Sequence, residues 1–117
     1  MRSLTSHHRL AVYGTLTPGR SNHHELDGIH GTWRTGFVRG QLVASGWGAA
    51  KGFPGIHLDP KGPRVSVHVL ESHELPKHWL RLDNFEGEEY ERVATVVICQ
   101  GKSIEASIYA LRPEPKT

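Results

Sequence analysis

The sequence predicts an α+β domain built on a small, mixed, strongly curved β-barrel with one main helix. Three observations lead to this fold class: many short runs typical of strands, glycines that interrupt those runs, and one amphipathic stretch of helical period. The chain has 117 residues, of which 37% are hydrophobic. That length favours one compact core, so we expect a single domain over 1–117, with flexible segments at 1–8 and 112–117.

The composition argues against several classes of protein. The formal net charge is +2, and the 14 lysines and arginines are spread along the chain, which disfavours a nucleic-acid partner. No stretch approaches about eighteen uninterrupted apolar residues, and no apolar signal region follows Met1, so we expect a soluble, cytoplasmic protein with no membrane partner. The oligomeric state stays open.

The first predicted strand leads into a glycine-containing loop. A β-type run at 10–13 ends at Gly14, and a single helical turn at 23–26 follows the loop. Backbone N–H groups in such a loop can converge on an anion, but an ordinary strand-to-turn connection explains the same pattern.

The middle of the chain predicts further strands and turns. Residues 32–45 carry aromatic and β-branched residues interrupted by Gly36 and Gly40, which predicts strands bent or bulged at these glycines. Proline and glycine at 53–56 and 59–63 predict two turns.

The second half contains three more predicted strands. Valines alternate with other residues over 65–70, and two strand-like runs, 93–99 and 103–111, are joined by a hairpin connection containing Gly101. The single cysteine, Cys99, lies in an apolar run, so it predicts a buried side chain rather than a disulfide or a nucleophile.

The predicted helix precedes these two strands. Leu75, Trp79, Leu82 and Phe85 recur at helical spacing, and Gly87 supplies a stop just beyond them. This places Glu86 on the last helical turn, where the helix dipole disfavours a carboxylate by about 0.3 to 1 kcal/mol.

Two interpretations of Glu86 remain open at this point. It lies in an acidic run with Glu88, Glu89 and Glu91, and such runs are usually solvated faces. A carboxylate at an unfavourable helix end can instead serve a chemical purpose.

Motif searches favour neither a metal site nor a cofactor site. The nine histidines include the adjacent pairs 7–8 and 23–24, and no spacing matches a zinc site. No nucleophile elbow and no glycine-rich nucleotide-binding motif is present.

Two motifs, taken in order, resemble a known family. Residues 13–16 read Tyr-Gly-Thr-Leu, and residues 82–92 read Leu-Asp-x-Phe-Glu-Gly-x-x-Tyr-x-Arg. They are similar to the two signatures of the γ-glutamylcyclotransferase-like family, in particular the γ-glutamylamine cyclotransferase type. Shorter similarities at 40–42, 53–55 and 106–109 extend the resemblance over about 10–111.

The resemblance implies a cofactor-free enzyme whose partner is a small γ-glutamyl compound. It would convert a γ-glutamyl amine or γ-glutamyl amino acid to 5-oxoproline and the free amine, with Glu86 as the catalytic general acid/base. Burial against Phe85 and Trp79, together with neighbouring carboxylates, is expected to raise the pKa of Glu86 for this role.

The resemblance also suggests residues that bind the substrate. Backbone N–H groups of the loop would hold its carboxylate or the developing oxyanion, and tyrosines would line the pocket. The proposed binding residues are Tyr13, Gly14, Thr15, Leu16, Tyr90 and Tyr109. Packing roles for Tyr90 and Tyr109 stay open, and Arg92 is a further conceivable contact.

The sequence departs from the family pattern in its middle strand. Where the family usually has glycine followed by glutamate, this chain has Val67 and His68. The departure leaves an alternative function open, a non-catalytic small-molecule binding module on the same fold.

Overall fold

Five strands close into a barrel in the computed structural model, which describes residues 4–13, 23–43 and 55–112. The strands within these ranges are β1 (Arg9–Val12), β2 (Thr32–Val43), β3 (Gly55–Leu58), β4 (Arg64–Glu71), β5 (Tyr90–Cys99) and β6 (Lys102–Leu111). The α-helix, α1, is Trp79–Glu86, and short 3-10 turns occupy Ser6–His8, His23–Leu26 and Leu75–Lys77.

The order of the strands explains the closure. They follow one another as β3-β2-β4-β1-β6-β5, and β2 also pairs with β5 where Phe37 lies opposite Ile98. The ring therefore contains β2, β4, β1, β6 and β5, while β3 pairs only with the second part of β2. The β1–β6 pair is parallel and the others are antiparallel, which confirms the predicted mixed barrel.

Gly36 allows the barrel to close. A Cβ atom at this position would lie 2.5 Å from the carbonyl oxygen of Ile98, so a larger residue would push β5 away. Of the bend or bulge that the sequence predicts at Gly36, the bulge does not occur, because β2 and β4 stay in continuous register from Thr32 to Arg39. Gly40 lies where the pairing of β2 passes from β4 to β3.

Successive side chains of each strand point to opposite faces of the barrel wall, so the strands contribute to two apolar cores. The cluster inside the barrel contains Ala11, Val38, Ile56, Val65, Val67, Val69, Val97, Cys99, Ala106 and Ile108. Cys99 is thus buried, as predicted. The second cluster lies between the outer barrel surface and α1, and contains Leu10, Val12, Leu26, Ile29, Leu70, Leu75, Trp79, Leu82, Tyr90, Tyr109 and Leu111.

The predicted helix is divided into two parts. Leu75–Lys77 forms a 3-10 turn, and α1 follows from Trp79 to Glu86. Gly87 ends α1 as predicted, with φ +87° and ψ −177°, a conformation that favours glycine. No helix in the described ranges is long and apolar enough to span a membrane.

The Ser6–His8 turn contacts the barrel. Carbonyl groups of the Ser6–His8 turn accept hydrogen bonds from the Ser107 hydroxyl (2.7 Å), the Trp79 indole (3.1 Å) and the Ser72 backbone N–H (2.8 Å). These bonds satisfy carbonyls that a free segment would leave to water.

The structure confirms the predicted hairpin between β5 and β6. Gln100 and Gly101 form a two-residue loop, with φ values of 51° and 79°. Positive φ at both positions is typical of a type I′ turn, whose twist matches that of the flanking strands.

Candidate active site

Glu86 is the last residue of α1, and its side chain is partly buried. Burial raises the pKa of its carboxyl group from 4.5 to about 7, because the charged form loses solvation. Of the two interpretations, a fully solvated acid therefore does not fit. The neighbouring carboxylates expected to contribute have no part in this shift, which burial alone explains.

Tyr13, Tyr90 and Tyr109 all lie within electrostatic reach of Glu86, although Tyr13 and Tyr109 are far from it in the sequence. Tyr13 directly follows β1, Tyr90 begins β5, and Tyr109 is near the end of β6. Burial raises the pKa of each phenol, that of Tyr90 to about 12, and the charge of Glu86 raises all three further. The structure thus brings together four of the residues that the sequence suggests for the site.

The hydroxyl group of Tyr13 is already engaged by the protein. It donates a hydrogen bond to the carbonyl oxygen of Tyr109 (2.6 Å) and accepts one from the backbone N–H of Ile56 (3.1 Å). Tyr13 therefore joins the end of β1 to β6 and β3.

Asp83 is a residue of the site that the sequence analysis did not single out. Its Oδ1 accepts hydrogen bonds from Arg92 Nε (2.9 Å) and the Tyr109 hydroxyl (2.6 Å), and its Oδ2 accepts one from Arg92 Nη2 (3.3 Å). Burial by itself would raise the pKa of Asp83, but these hydrogen bonds and the charge of Arg92 hold it below its ordinary value.

Arg92 is paired with Asp83 rather than left open for a substrate. Its guanidinium group also lies 4.4 Å from the centre of the Trp79 ring. The sequence does contain a signal for this pair, namely opposite charges on either side of the turn that follows α1.

A cleft of about 480 Å³ opens beside these residues. It is lined by Asp83, Asn84, Gly87, Glu88, Tyr90, Glu91, Arg92, Tyr109 and Arg112. Two residues of the tyrosine group around Glu86 therefore also form its wall.

The remaining predicted binding residues, Gly14, Thr15 and Leu16, fall outside the described ranges. The departure at Val67 and His68 lies on β4. Val67 is buried inside the barrel opposite Gly36, and His68 is partly exposed opposite Val12. Within the described part of the chain, no three His, Cys, Asp or Glu side chains form a group that could hold a metal ion.

Comparisons with known proteins agree with this architecture. A family model for "Gamma-glutamyl cyclotransferase, AIG2-like" proteins matches residues 10–117. The crystal structure of an AIG2-like protein from Mus musculus is 30% identical, with a TM-score of 0.66, over 87% of this chain and 75% of that one. YkqA from Bacillus subtilis is 27% identical, with a TM-score of 0.68, over 88% of this chain and 35% of its own.

A third structure is similar in fold. PH0828 from Pyrococcus horikoshii is 20% identical, with a TM-score of 0.63, over 92% of this chain and 80% of that one. A search of functionally curated proteins gave no match. The family match over nearly the whole chain, on a closed barrel with one helix, shows that the protein belongs to the AIG2-like γ-glutamyl cyclotransferase family.

Proposed function

We propose that the protein is a cofactor-free cyclotransferase that converts a γ-glutamyl amine or γ-glutamyl amino acid to 5-oxoproline and the free amine. In this proposal Glu86 is the general acid/base. The observation that carries the proposal is the partly buried Glu86 carboxyl group, which has a pKa of about 7 and lies among three tyrosines.

The reaction requires a base and then an acid at neighbouring positions. The substrate's α-ammonium group must lose a proton before its nitrogen can attack the γ-carbonyl carbon. Glu86 accepts that proton, the new ring C–N bond forms, and the protonated carboxyl group then donates to the nitrogen of the old amide bond as that bond breaks. Glu86 then carries a second proton from the ring nitrogen to the released amine in the same way. Two protons thus leave the attacking nitrogen, two reach the released ammonium, and Glu86 ends as the carboxylate it was at the start.

The raised pKa of Glu86 suits both steps. A carboxylate with an ordinary pKa near 4.5 would hold a proton too weakly at neutral pH to deliver it to the leaving amine. A carboxyl group that titrates near neutrality can accept and return the proton with little change in free energy.

Ring closure is intramolecular, so the shape of the pocket supplies part of the rate enhancement. Well-oriented cyclisations reach effective molarities of about 10⁵ M or more. In the proposal, the rings of Tyr13, Tyr90 and Tyr109 hold the glutamyl chain in a bent form. The loop residues Gly14, Thr15 and Leu16 are proposed to bind the α-carboxylate or the developing oxyanion through backbone N–H groups.

The proposed partner is a small molecule in the cytoplasm. In this proposal the γ-glutamyl group binds beside the Glu86 carboxyl group and the three tyrosines. The scattered distribution of basic residues supports this ligand over a nucleic acid.

A non-catalytic binding module is the alternative, motivated by Val67 and His68. The environment of Glu86 argues against this alternative. Desolvating a carboxyl group lowers the stability of the protein, and binding alone does not require a desolvated carboxyl group. Turnover decides between the two functions.

The experiment incubates pure protein with a panel of γ-glutamyl amines and γ-glutamyl amino acids and detects 5-oxoproline by mass spectrometry. Glu86→Gln keeps the size of the side chain and removes the base, and Glu105→Gln is the matched control because Glu105 is exposed on β6 and does not line the cleft. We expect product with the parent and Glu105→Gln but not with Glu86→Gln. Full turnover by Glu86→Gln would overturn the role of Glu86, and 5-oxoproline binding without turnover across the panel would support the binding module.

A further inference from the structure

We propose that Asp83 and Arg92 act together as positioning residues that hold Glu86 in place and keep the charge beside it balanced. The inference deepens the proposed function and rests on it, since it treats Glu86 as the acid/base. It assigns Arg92 to the protein's own machinery rather than to substrate binding.

The pair connects α1, whose last residue is Glu86, to β5. Asp83 is on α1 and Arg92 is on β5, with Glu86 and the Gly87 turn between them. Two hydrogen bonds, of 2.9 and 3.3 Å, join the guanidinium fork to both carboxylate oxygens. A bidentate pair fixes direction as well as distance, so it restricts how the end of α1 can move relative to β5.

Other contacts make the arrangement rigid. The ring of Trp79, buried in the outer core, lies against the Arg92 guanidinium group at 4.4 Å. The backbone N–H of Gly87 donates to the Asp83 carbonyl group (3.1 Å), which ends the helix immediately after Glu86. Both the backbone and the side chain of Asp83 therefore help to define where Glu86 lies.

Tyr109 connects the pair to Glu86. Its hydroxyl donates to Asp83 at 2.6 Å, and the charges of both Asp83 and Glu86 raise its pKa. Side chains three residues apart on a helix are neighbours, with Cβ atoms about 5–6 Å apart. An unpaired Asp83 would thus place a second negative charge beside Glu86.

Arg92 cancels that charge. Other titratable groups near Glu86 are the phenols of Tyr13, Tyr90 and Tyr109, which are neutral near pH 7, and the carboxyl group of Glu89, which acts on Tyr90 together with Glu86. On the α1 side of Glu86, the balance of charge therefore depends on the Asp83–Arg92 pair. Removing the Asp83 charge should lower the pKa of Glu86, and removing the Arg92 charge should raise it.

The test compares Asp83→Asn, Arg92→Gln and the double variant with the parent. The pKa of Glu86 is measured by NMR titration of its side-chain ¹³C carboxyl signal, assigned by its loss in Glu86→Gln. We expect Asp83→Asn to lower this pKa and Arg92→Gln to raise it, each by about 0.5 pH unit or more. The double variant should return close to the parent value.

Activity measurements separate positioning from substrate binding. Arg92→Lys keeps the charge but loses the bidentate fork, so it should lower kcat while leaving the pKa of Glu86 and KM nearly unchanged. A large rise in KM for both Arg92 variants, with none for Asp83→Asn, would overturn the proposal in favour of a substrate contact. Equal pKa values for Glu86 in all folded variants would also overturn it.

The NMR titration also keeps this proposal distinct from the proposed function. Opposite pKa shifts in variants of a protein that never turns over γ-glutamyl compounds would support the Asp83–Arg92 pair and reject the cyclotransferase. Turnover of γ-glutamyl compounds with no change in the Glu86 pKa in either single variant would support the cyclotransferase and reject the role of the Asp83–Arg92 pair.

Discussion

The hydroxyl group of Tyr13 donates a 2.6 Å hydrogen bond to the backbone carbonyl of Tyr109, a residue 96 positions away. The same hydroxyl accepts from Ile56, and the hydroxyl of Tyr109 donates to Asp83. Three strands and the helix are thus connected around Glu86 through two phenols. The tyrosines give the candidate site its framework as well as its walls.

Tyr13→Phe should destabilise the protein even though the ring is retained. The substitution removes the hydroxyl that bonds to the carbonyl group of Tyr109 and the N–H group of Ile56, and each unsatisfied buried group lowers stability by about 1–3 kcal/mol. Urea unfolding should show a lower midpoint with an unchanged m value. Stability equal to the parent would mean that water replaces the hydroxyl.

Glu86→Gln should stabilise the protein at high pH. Because folding raises the Glu86 pKa from 4.5 to about 7, the native state binds more protons than the unfolded chain between these values, and stability falls as the pH rises through them. At about 1.4 kcal/mol per pKa unit, the penalty above pH 7 has an upper limit of about 3 kcal/mol.

Unfolding measured at several pH values checks this linkage. Glu86→Gln should match the parent near about pH 4, where the carboxyl group is protonated in both states, and exceed it near about pH 8. Glu88→Gln, at an exposed position, should show no such difference. A parallel pH dependence of the parent and Glu86→Gln would show that Glu86 is not desolvated.

The pH dependence of activity should report the same group. The proposed mechanism requires ionised Glu86 in the free enzyme, so kcat/KM should rise with pH through an apparent pKa near 7. Glu105→Gln, at an exposed position that does not line the cleft, should keep this limb of the profile. A limb near pH 4.5 would assign the base to a carboxylate with an ordinary pKa.

Gly36→Ala should weaken the closure of the barrel. The added methyl group would lie 2.5 Å from the Ile98 carbonyl oxygen and 2.7 Å from the Cys99 sulfur, so β5 must move. Overpacking of this kind lowers stability by about 1–3 kcal/mol. Thr35→Ala, at the neighbouring exposed position of β2, is the control and should change stability much less. Equal losses of stability in the two variants would show that Gly36 has no special role in barrel closure.

Local patterns predicted much of the secondary structure. The β5–β6 hairpin and the end of α1 at Gly87 follow from glycine at positions of positive φ, a property of single residues and their immediate neighbours. Of the bend or bulge predicted at Gly36, the bulge does not occur, and the role of this glycine depends on a distant part of the chain. That glycine makes room for a strand about sixty residues later, and no local pattern contains this information.

The sequence by itself determined the α+β class, the helical stripe ending at Gly87 and the placement of Glu86 in a family signature, because these depend on residue order and short-range periodicity. Only the tertiary structure decided that Tyr13, Tyr90 and Tyr109 meet around Glu86, that Asp83 pairs with Arg92, and that the Tyr13 hydroxyl is used within the protein. Barrel closure brings together residues from both halves of the chain. The desolvation that raises the Glu86 pKa is a property of that assembled environment.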